Sequence, residues 1–294
     1  MVESCCLCKY KNLKVISNFV RDSPIHKIVK CLNCNHIQLS PFPKSISDEI
    51  YYNNDQPTEN IKFSFSIKNI ENRSSVDLTR RINLIKKITP KNGRILEIGS
   101  GHGFLLKKLQ ELKFSVTGIE VSKDRRIISK KVAPNVQVLD MDVNGNIPKI
   151  SNLDSIVMFH VLEHIVDPII FLKKARKLLS KNGKIIVEVP NINDLQLDQN
   201  EYYRNWYWQR AHLHYFSPNI LKNIFLRSGM KNMKIIAVQR YSLENMFNWS
   251  LLKKPQIQSP SFQINKNYAW LEDYYKSYLS KKFISDTILV VGTK

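Results

Sequence analysis

Nowhere among the 294 residues do about 18 apolar positions run together, so a membrane-spanning helix is not expected. The opening MVESCCLC has no basic stretch followed by an apolar run. A secretory leader is therefore not expected either, and the chain reads as a soluble, cytoplasmic protein. Long basic blocks, low-complexity tracts and internal repeats are also missing. Acidic residues are scarce: 25 Asp and Glu face 45 Lys and Arg, for a net charge of +20. Such an excess suits nucleic acid, an acidic surface or an anionic substrate. The cations are scattered through a chain rich in Lys, Asn and Ile, which suits a solvated surface better than a polyanion groove. With 43% hydrophobic residues, the chain can build one large core or two modest ones.

Cysteine is absent after position 34, and five occur before it: Cys5, Cys6, Cys8, Cys31 and Cys34. Cys5 and Cys8 form one C-x2-C, and Cys31 and Cys34 form another after 22 residues. Two such knuckles present four thiolates to one structural Zn²⁺ and leave no open position for catalysis. A two-disulfide reading needs an oxidising compartment, which the missing leader argues against. Cys6 is spare in this register, and a Cys6/Cys8 register is the alternative. Lys9 and Asn35 stand where the chain must turn tightly after each knuckle; Asn tolerates left-handed geometry and Lys does so less readily.

Beyond a rigid exit at Ser40-Pro41-Phe42-Pro43, the polar stretch around Tyr51–Asn60 reads as linker, and the spacing of apolar residues predicts a helix over Asn69–Ile88. From Arg94, short apolar runs alternate with amphipathic stretches. Strands are predicted at Ile95–Ile98, Ser115–Ile119, Val136–Leu139, Ser155–Phe159 and Lys184–Val189. Helices are predicted at Gly103–Leu112, Ser122–Lys131 and Pro168–Leu179, the last stopped by Asn182-Gly183. That alternation means an α/β fold with a parallel sheet covered by helices on both faces. Ser217-Pro218 opens a further helix to Arg227, and Lys234–Val238 and Thr287–Val291 are late strands. Between them lies an aromatic insertion, Tyr241–Phe283. Its Tyr268, Trp270, Tyr274, Tyr275 and Tyr278 are expected on one amphipathic helix covering the core or a partner.

Strand Ile95–Ile98 runs into Gly99-Ser100-Gly101-His102-Gly103 and then a helix, a turn whose backbone can approach a ligand closely. The dinucleotide fingerprint G-x-G-x-x-G fails, because Phe104 stands at its third glycine. Acid-x-G-x-G-x-G fits instead, with Glu97 leading. Glu120 ends the next strand, where a carboxylate can accept ribose hydroxyls, and Asp142 follows the third. Together LEIGSGHGFLL, GIE and D-x-D resemble a class I S-adenosylmethionine (SAM)-dependent methyltransferase. The resemblance implies a Rossmann-like sheet. It places Glu97, Gly99, Ser100 and Gly101 at the amino-acid end of SAM and Glu120 and Val121 at the ribose. Met141, Asp142 and Phe159 then border the adenine and the cofactor pocket, with Asp140 an alternative to Asp142.

The fourth strand ends in FHVLEHIVDP, and HLHYFS follows at His212–Ser217. Both resemble small-molecule methyltransferases of bacteria, and with the cysteine knuckles the match is to their zinc-ribbon-bearing branch, which includes sugar and natural-product enzymes. SAM is already activated, so the protein mainly aligns the acceptor and removes its proton. His160 is the first candidate base, His212 the second and His164 the third. A metal reading competes: His160, Glu163 and His164 share one face of a helical turn, and His212 or His214 can close the set. Similar clusters hold a divalent metal in ubiquinone-pathway O-methyltransferases and small-RNA 2′-O-methyltransferases, which carry Glu where this chain has His160. Arg204 and Arg210, within an aromatic run from Tyr202, are candidates to hold a phosphate on the acceptor.

The expected organisation is a zinc ribbon over residues 1–50, a linker and helical lead-in over 51–90, a SAM-binding core over 91–192, and an acceptor cap with the remaining strands over 193–294. The expected activity is SAM-dependent methylation of a small-molecule hydroxyl. A sugar or nucleotide-linked sugar of polysaccharide or secondary-metabolite synthesis is favoured, phosphorylated acceptors being suited by the basic charge. Rivals are RNA methylation, sugar C-methylation, and a ribbon-mediated interaction protein whose SAM fold is vestigial.

Overall fold

The computed structural model describes residues 4–43, 67–144, 146–254 and 265–294; the expected linker at Tyr51–Asn60 lies outside them. Strands β1 (Leu13–Ser17), β2 (Lys27–Cys31) and β3 (Ile37–Ser40) form an antiparallel ribbon. Helix α1 (Ile67–Ile88) leads into β4 (Arg94–Ile98), α2 (Phe104–Glu111), β5 (Ser115–Ile119), α3 (Lys123–Val132), β6 (Gln137–Leu139) and β7 (Leu153–Phe159). A 3-10 turn at Leu162–His164 precedes α4 (Pro168–Leu178) and β8 (Leu179–Pro190). Then follow α5 (Leu195–Gln199), α6 (Glu201–Tyr207), β9 (His214–Tyr215), α7 (Pro218–Arg227) and β10 (Lys231–Val238). Last come α8 (Leu243–Leu252), α9 (Ala269–Lys282) and β11 (Thr287–Thr293). Among the described residues, no helix is long and apolar enough to cross a membrane.

The main sheet has seven strands in the order β10-β11-β8-β7-β4-β5-β6, parallel except for β11, which runs against both neighbours. Its central strands are apolar without alternation because helices cover both faces: in β7 every residue but Asp154 is buried. Side-chain caps start the helices: Ser217 accepts from Ile220 as predicted, and Ser122 from Arg125 and Asp167 from Ile169 and Ile170 do the same. Most bounds shift by one to three residues, and one boundary differs in kind. Asn182-Gly183 does not separate α4 from the next strand; β8 already begins at Leu179, and the pair sits inside it with Asn182 at φ 74°. Lys184–Val189 is thus only the buried half of a longer strand.

The connection reverses beside β4, which is flanked by β5 on one side and β7 on the other. The crevice beyond the carboxyl ends of β4 and β7 is where such sheets bind ligands. Two glycines permit the turn there. Gly99 has φ 73°, and a Cβ on it would meet Cγ2 of Val161 at 2.4 Å. Gly103 has φ 82°, and its Cβ would meet Oγ of Ser129 at 2.3 Å, so α2 could not pack on α3.

The ribbon is not a separate bead. Strand β9 extends it to four strands, pairing Ile37 with Tyr215 and Gln38 with His214. Cys5, Leu7 and Cys31 join the same buried cluster as Ile156, Val187 and Phe225. Of the two placements expected for the C-terminal aromatics, the core is not the one seen: Tyr268, Trp270, Tyr274 and Tyr278 are exposed, and Leu279 is the residue α9 buries.

Candidate functional site

Two cavities meet beyond the strand tips. The first, of about 380 Å³, is lined by Gly99, Glu120, Val121, Met141, Asp142 and Phe159, with His160, His164 and His212 along its other wall. Asp142, not Asp140, faces it; Asp140 is turned outward and pairs with Arg126 at 2.6 Å. Glu120 holds the surrounding loops, its carboxylate accepting from the backbone N–H of Gly101 at 2.8 Å and of Ser122 at 2.9 Å. Glu97, Ser100 and Gly101 stand behind this wall and do not line the cavity. Glu97 is buried, and one of its oxygens has no hydrogen-bond partner among the described residues. Burial pushes its carboxyl up to about 8, Arg81 opposing this and Glu120 adding to it. A buried carboxyl short of a donor suits the ammonium end of an amino-acid-bearing ligand, so these residues fit SAM. Arg125, Asn144 and Gln209 also line the cavity, and none of them belongs to the motifs that mark the loop.

The second cavity, of about 220 Å³, shares His160, Gln209 and His212 with the first. Its walls include Tyr203, Trp206, Tyr207 and Tyr241, with Glu163, Arg240 and Asp286 as charged groups. Arg204 and Arg210 do not line it: Arg204 donates to the carbonyl of Leu197 at 2.8 Å, and Arg210 is exposed. Arg240 is committed, with Nε 2.8 Å and Nη2 2.7 Å from Oδ2 of Asp77.

His160 sits at the tip of β7 with φ 57°, a left-handed conformation that costs a non-glycine residue about 1–2 kcal/mol. Its backbone N–H donates to the Glu188 carbonyl at 2.8 Å, and its Nε2 accepts from Nη1 of Arg240 at 2.7 Å. That bond puts the ring proton on Nδ1, which faces Oε1 of Glu163 at 3.5 Å. Glu188 itself is buried against Arg80 and Arg81. His212 differs: its Nε2 takes the neutral side-chain amide of Gln209 at 2.8 Å, and the Gln209 oxygen accepts from Arg21 of the ribbon at 2.6 Å. Burial lowers both His164 and His212, the latter to about 3 with the neighbouring His164 adding to the shift, so both rings are neutral at pH 7.

Glu163 lies at the centre of these rings. It is 1% exposed, and neither carboxylate oxygen accepts a hydrogen bond among the described residues. Nε2 of His164 and of His212 each lie 4.0 Å from its Oε1. Nδ1 of His164 is 2.7 Å from the Ala211 carbonyl and donates to it, which turns the lone pair on Nε2 toward Glu163. The expected i, i+3, i+4 face is thus present, but the helical turn is 3-10 and His160 lies just outside it. The group with ligand atoms within 4.8 Å of one another is Glu163, His164 and His212.

In the ribbon, one ligand atom from each of Cys5, Cys8, Cys31 and Cys34 lies within 4.8 Å of the others. Sγ of Cys5 is 3.6 Å from that of Cys34, and Cys8 is 3.6 Å from Cys31. The edge of a tetrahedron with metal–sulfur bonds of about 2.3 Å is about 3.8 Å, so the set fits zinc. Both knuckles make the same turn, Lys9 donating to the Cys5 carbonyl at 2.9 Å and Asn35 to that of Cys31 at 3.0 Å. Lys9 and Asn35 have φ 63° and 61°. The matched turns put Cys5, not Cys6, in the first knuckle.

The family model described as "Methyltransferase domain" matches residues 70–235, more than half of the chain. An "Uncharacterized methyltransferase" of Alkaliphilus oremlandii is 34% identical over 116 residues, 39% of this chain and 51% of that protein. A "Ubiquinone biosynthesis O-methyltransferase" of Pelagibacter ubique is 32% identical over 105 residues, 34% of this chain and 43% of that protein. The chain therefore spans about half the length of the curated relatives it matches. A SAM-dependent methyltransferase from Archaeoglobus fulgidus shares the fold with a TM-score of 0.53 at 18% identity, covering 75% of this chain and 94% of that one.

Proposed function

The chain belongs to this methyltransferase-domain family and is a class I SAM-dependent methyltransferase, and from that premise we propose that it methylates a hydroxyl of a small molecule seated in the second cavity. A sugar or nucleotide-linked sugar is the acceptor class we favour. The observation that carries the reading is the shared wall: a donor in the first cavity and an acceptor in the second would meet at His160, Gln209 and His212. SAM supplies an activated methyl group, so the protein's part is to align the acceptor and take up its proton. Glu97 and the Gly99–Gly101 loop hold the amino-acid end, Glu120 and Val121 the ribose, and Met141, Asp142 and Phe159 the adenine side.

We assign the base to His212 ahead of His160, reversing the order suggested by the sequence. The Arg240 guanidinium occupies Nε2 of His160 and is itself fixed by Asp77, whereas a substrate hydroxyl can displace the neutral Gln209 amide from His212. Glu163 then stabilises the imidazolium as it forms. His164 orients the turn. Aromatic walls and an already paired Arg240 suit a neutral, hydroxyl-bearing ring, with any phosphate on the acceptor lying outside the cavity. We place zinc on Cys5, Cys8, Cys31 and Cys34 as a structural ion, and the enzyme in the cytoplasm.

A second reading has one specific observation behind it, the unpartnered Glu163 carboxylate beside two neutral imidazoles. There a divalent ion on Glu163, His164 and His212 would activate the acceptor hydroxyl directly. Turnover measured with and without a chelator, then with Mg²⁺, Mn²⁺ or Zn²⁺ restored, separates the two. The acceptor class is tested with methyl-labelled SAM and a host extract split into RNA and small-molecule fractions. Label in the small-molecule fraction, insensitive to ribonuclease, supports the proposal. Label lost on ribonuclease treatment overturns it in favour of RNA.

A further inference from the structure

Cys6 is left over once the four-thiol set is grouped, and it points elsewhere. Its Sγ lies 3.6 Å from Nδ1 of His214, and Nε2 of His36 lies 3.0 Å from the same nitrogen. The ligand atoms of all three residues lie within 4.8 Å of one another. Both rings are buried, His36 at 0% and His214 at 1% exposure.

Protons alone do not satisfy this group. Nε2 of His214 is 2.8 Å from the Ile165 carbonyl and donates to it, so Nδ1 carries a single in-plane lone pair. Two groups converge on that one acceptor. If His36 donates from Nε2, its own Nδ1 becomes a buried acceptor, and that atom has no partner among the described residues. If Cys6 donates instead, Nε2 of His36 faces a lone pair already in use. Either arrangement leaves a buried polar atom unsatisfied, at a cost of the kind native interiors avoid.

We propose that Cys6, His36 and His214 bind a second zinc ion through one thiolate and two imidazole nitrogens, the thiol proton going to solvent on binding. Tetrahedral zinc sets sulfur and nitrogen about 3.5 Å apart and two nitrogens about 3.3 Å apart, within a few tenths of an ångström of the Cys6–His214 and His36–His214 separations, and Cys6 and His36 lie within 4.8 Å of each other. The His214 bond to the Ile165 carbonyl is the outer contact that fixes the tautomer of a ligating imidazole. The ligands come from the first knuckle, from the residue just before β3, and from β9, two positions beyond His212. The ion therefore staples the ribbon to the loop that carries His212, alongside the β3–β9 pairing of Gln38 with His214. None of its ligands belongs to the four-cysteine set.

The test is metal content of the full chain, prepared with zinc as the only added metal and stripped of loosely held ions. Native mass spectrometry should find two zinc ions per chain, and Cys6→Ser and His36→Gln should each lose one. Zinc-edge X-ray absorption should show sulfur and nitrogen together in the native chain and sulfur alone in Cys6→Ser. A sulfur-only shell in the native chain overturns the proposal, whatever the variants do. So does a nitrogen contribution that persists in Cys6→Ser, which belongs to the Glu163 cluster.

Discussion

Around the first cavity the protein presents strand tips and loop backbone, with Glu120 braced by two peptide N–H groups and the glycine loop curled over β4. Around the second it presents charged side chains and rings: Arg240 paired with Asp77 of α1, Glu188 of β8 with Arg80 and Arg81, Glu163 beside His160, and Asp286 accepting from the backbone N–H groups of Arg240 and Tyr241. Tyr203 adds a buried contact of its own, donating to Asp194 at 2.6 Å and meeting Trp249 edge-on. The contrast is one of robustness. A backbone-built site tolerates most side-chain changes, whereas removing one member of an ion network strands another charge away from water. The acceptor side is therefore where single substitutions should do most damage.

The largest effect expected is on turnover. His212→Ala should lower kcat by about 10²–10⁴-fold, the usual worth of a positioned base, while calorimetry finds SAM affinity unchanged. An unchanged kcat removes His212 from the chemistry and restores His160. Next, Arg240→Leu takes one of two arginine partners from the half-buried Asp77, leaving it Arg80 at 3.0 Å, and bares Nε2 of His160. It should cost about 2–3 kcal/mol of stability, below the figure for a fully buried pair, read as a lower urea midpoint at unchanged m. If the midpoint does not move, the network is decoration. On the cofactor side, Glu120→Ala should weaken SAM about 10- to 100-fold and, because it strands the N–H groups of Gly101 and Ser122, also cost about 1–2 kcal/mol of stability.

The smallest signal is a proton. Burial raises Glu97 to about 8, so at pH 7 the folded protein carries a proton there that an unfolded chain has already lost near its ordinary value of 4.5. That raised value contributes relative stability below about pH 4.5 which is progressively lost as the pH rises to about 8. A ligand ammonium beside Glu97 favours the carboxylate, so SAM binding at pH 7 should release up to about one proton. Calorimetry in buffers of different ionisation enthalpy reads it, and Glu97→Gln should abolish it. Release that persists in that variant places the ammonium elsewhere.

Part of the first cavity's wall, Gly99, Glu120, Val121, Met141, Asp142 and Phe159, was legible because it lies in short local patterns: a strand, a turn that needs glycine, and an acid beyond each of the next strands. Ser115–Ile119 was read to the residue, and the cap at Ser217 was visible as a single letter before an apolar period. The longer β8 was not, because Asn-Gly reads as a stop whether it ends a helix or bends a strand. Arg240 and Asp77 gave no signal at all. They are 163 positions apart and ordinary in their own segments, and only the sheet brings them to His160. Likewise the aromatic letters from Tyr268 to Tyr278 carry no mark of direction; α9 turns most of them to solvent.

Local rules of this kind, in which one residue type meets one backbone need, settle the methyltransferase sheet, the glycine loop and the presence of two cysteine knuckles from the order of residues alone; the choice of Cys5 over Cys6 came from the turns. Which histidine has its lone pair covered by a cation, which arginines reach the acceptor cavity, and where Cys6 points depend on residues tens to hundreds of positions apart. Those matters rest on the three-dimensional approach of charges and lone pairs, which falls off within a few ångströms and leaves no period in the chain.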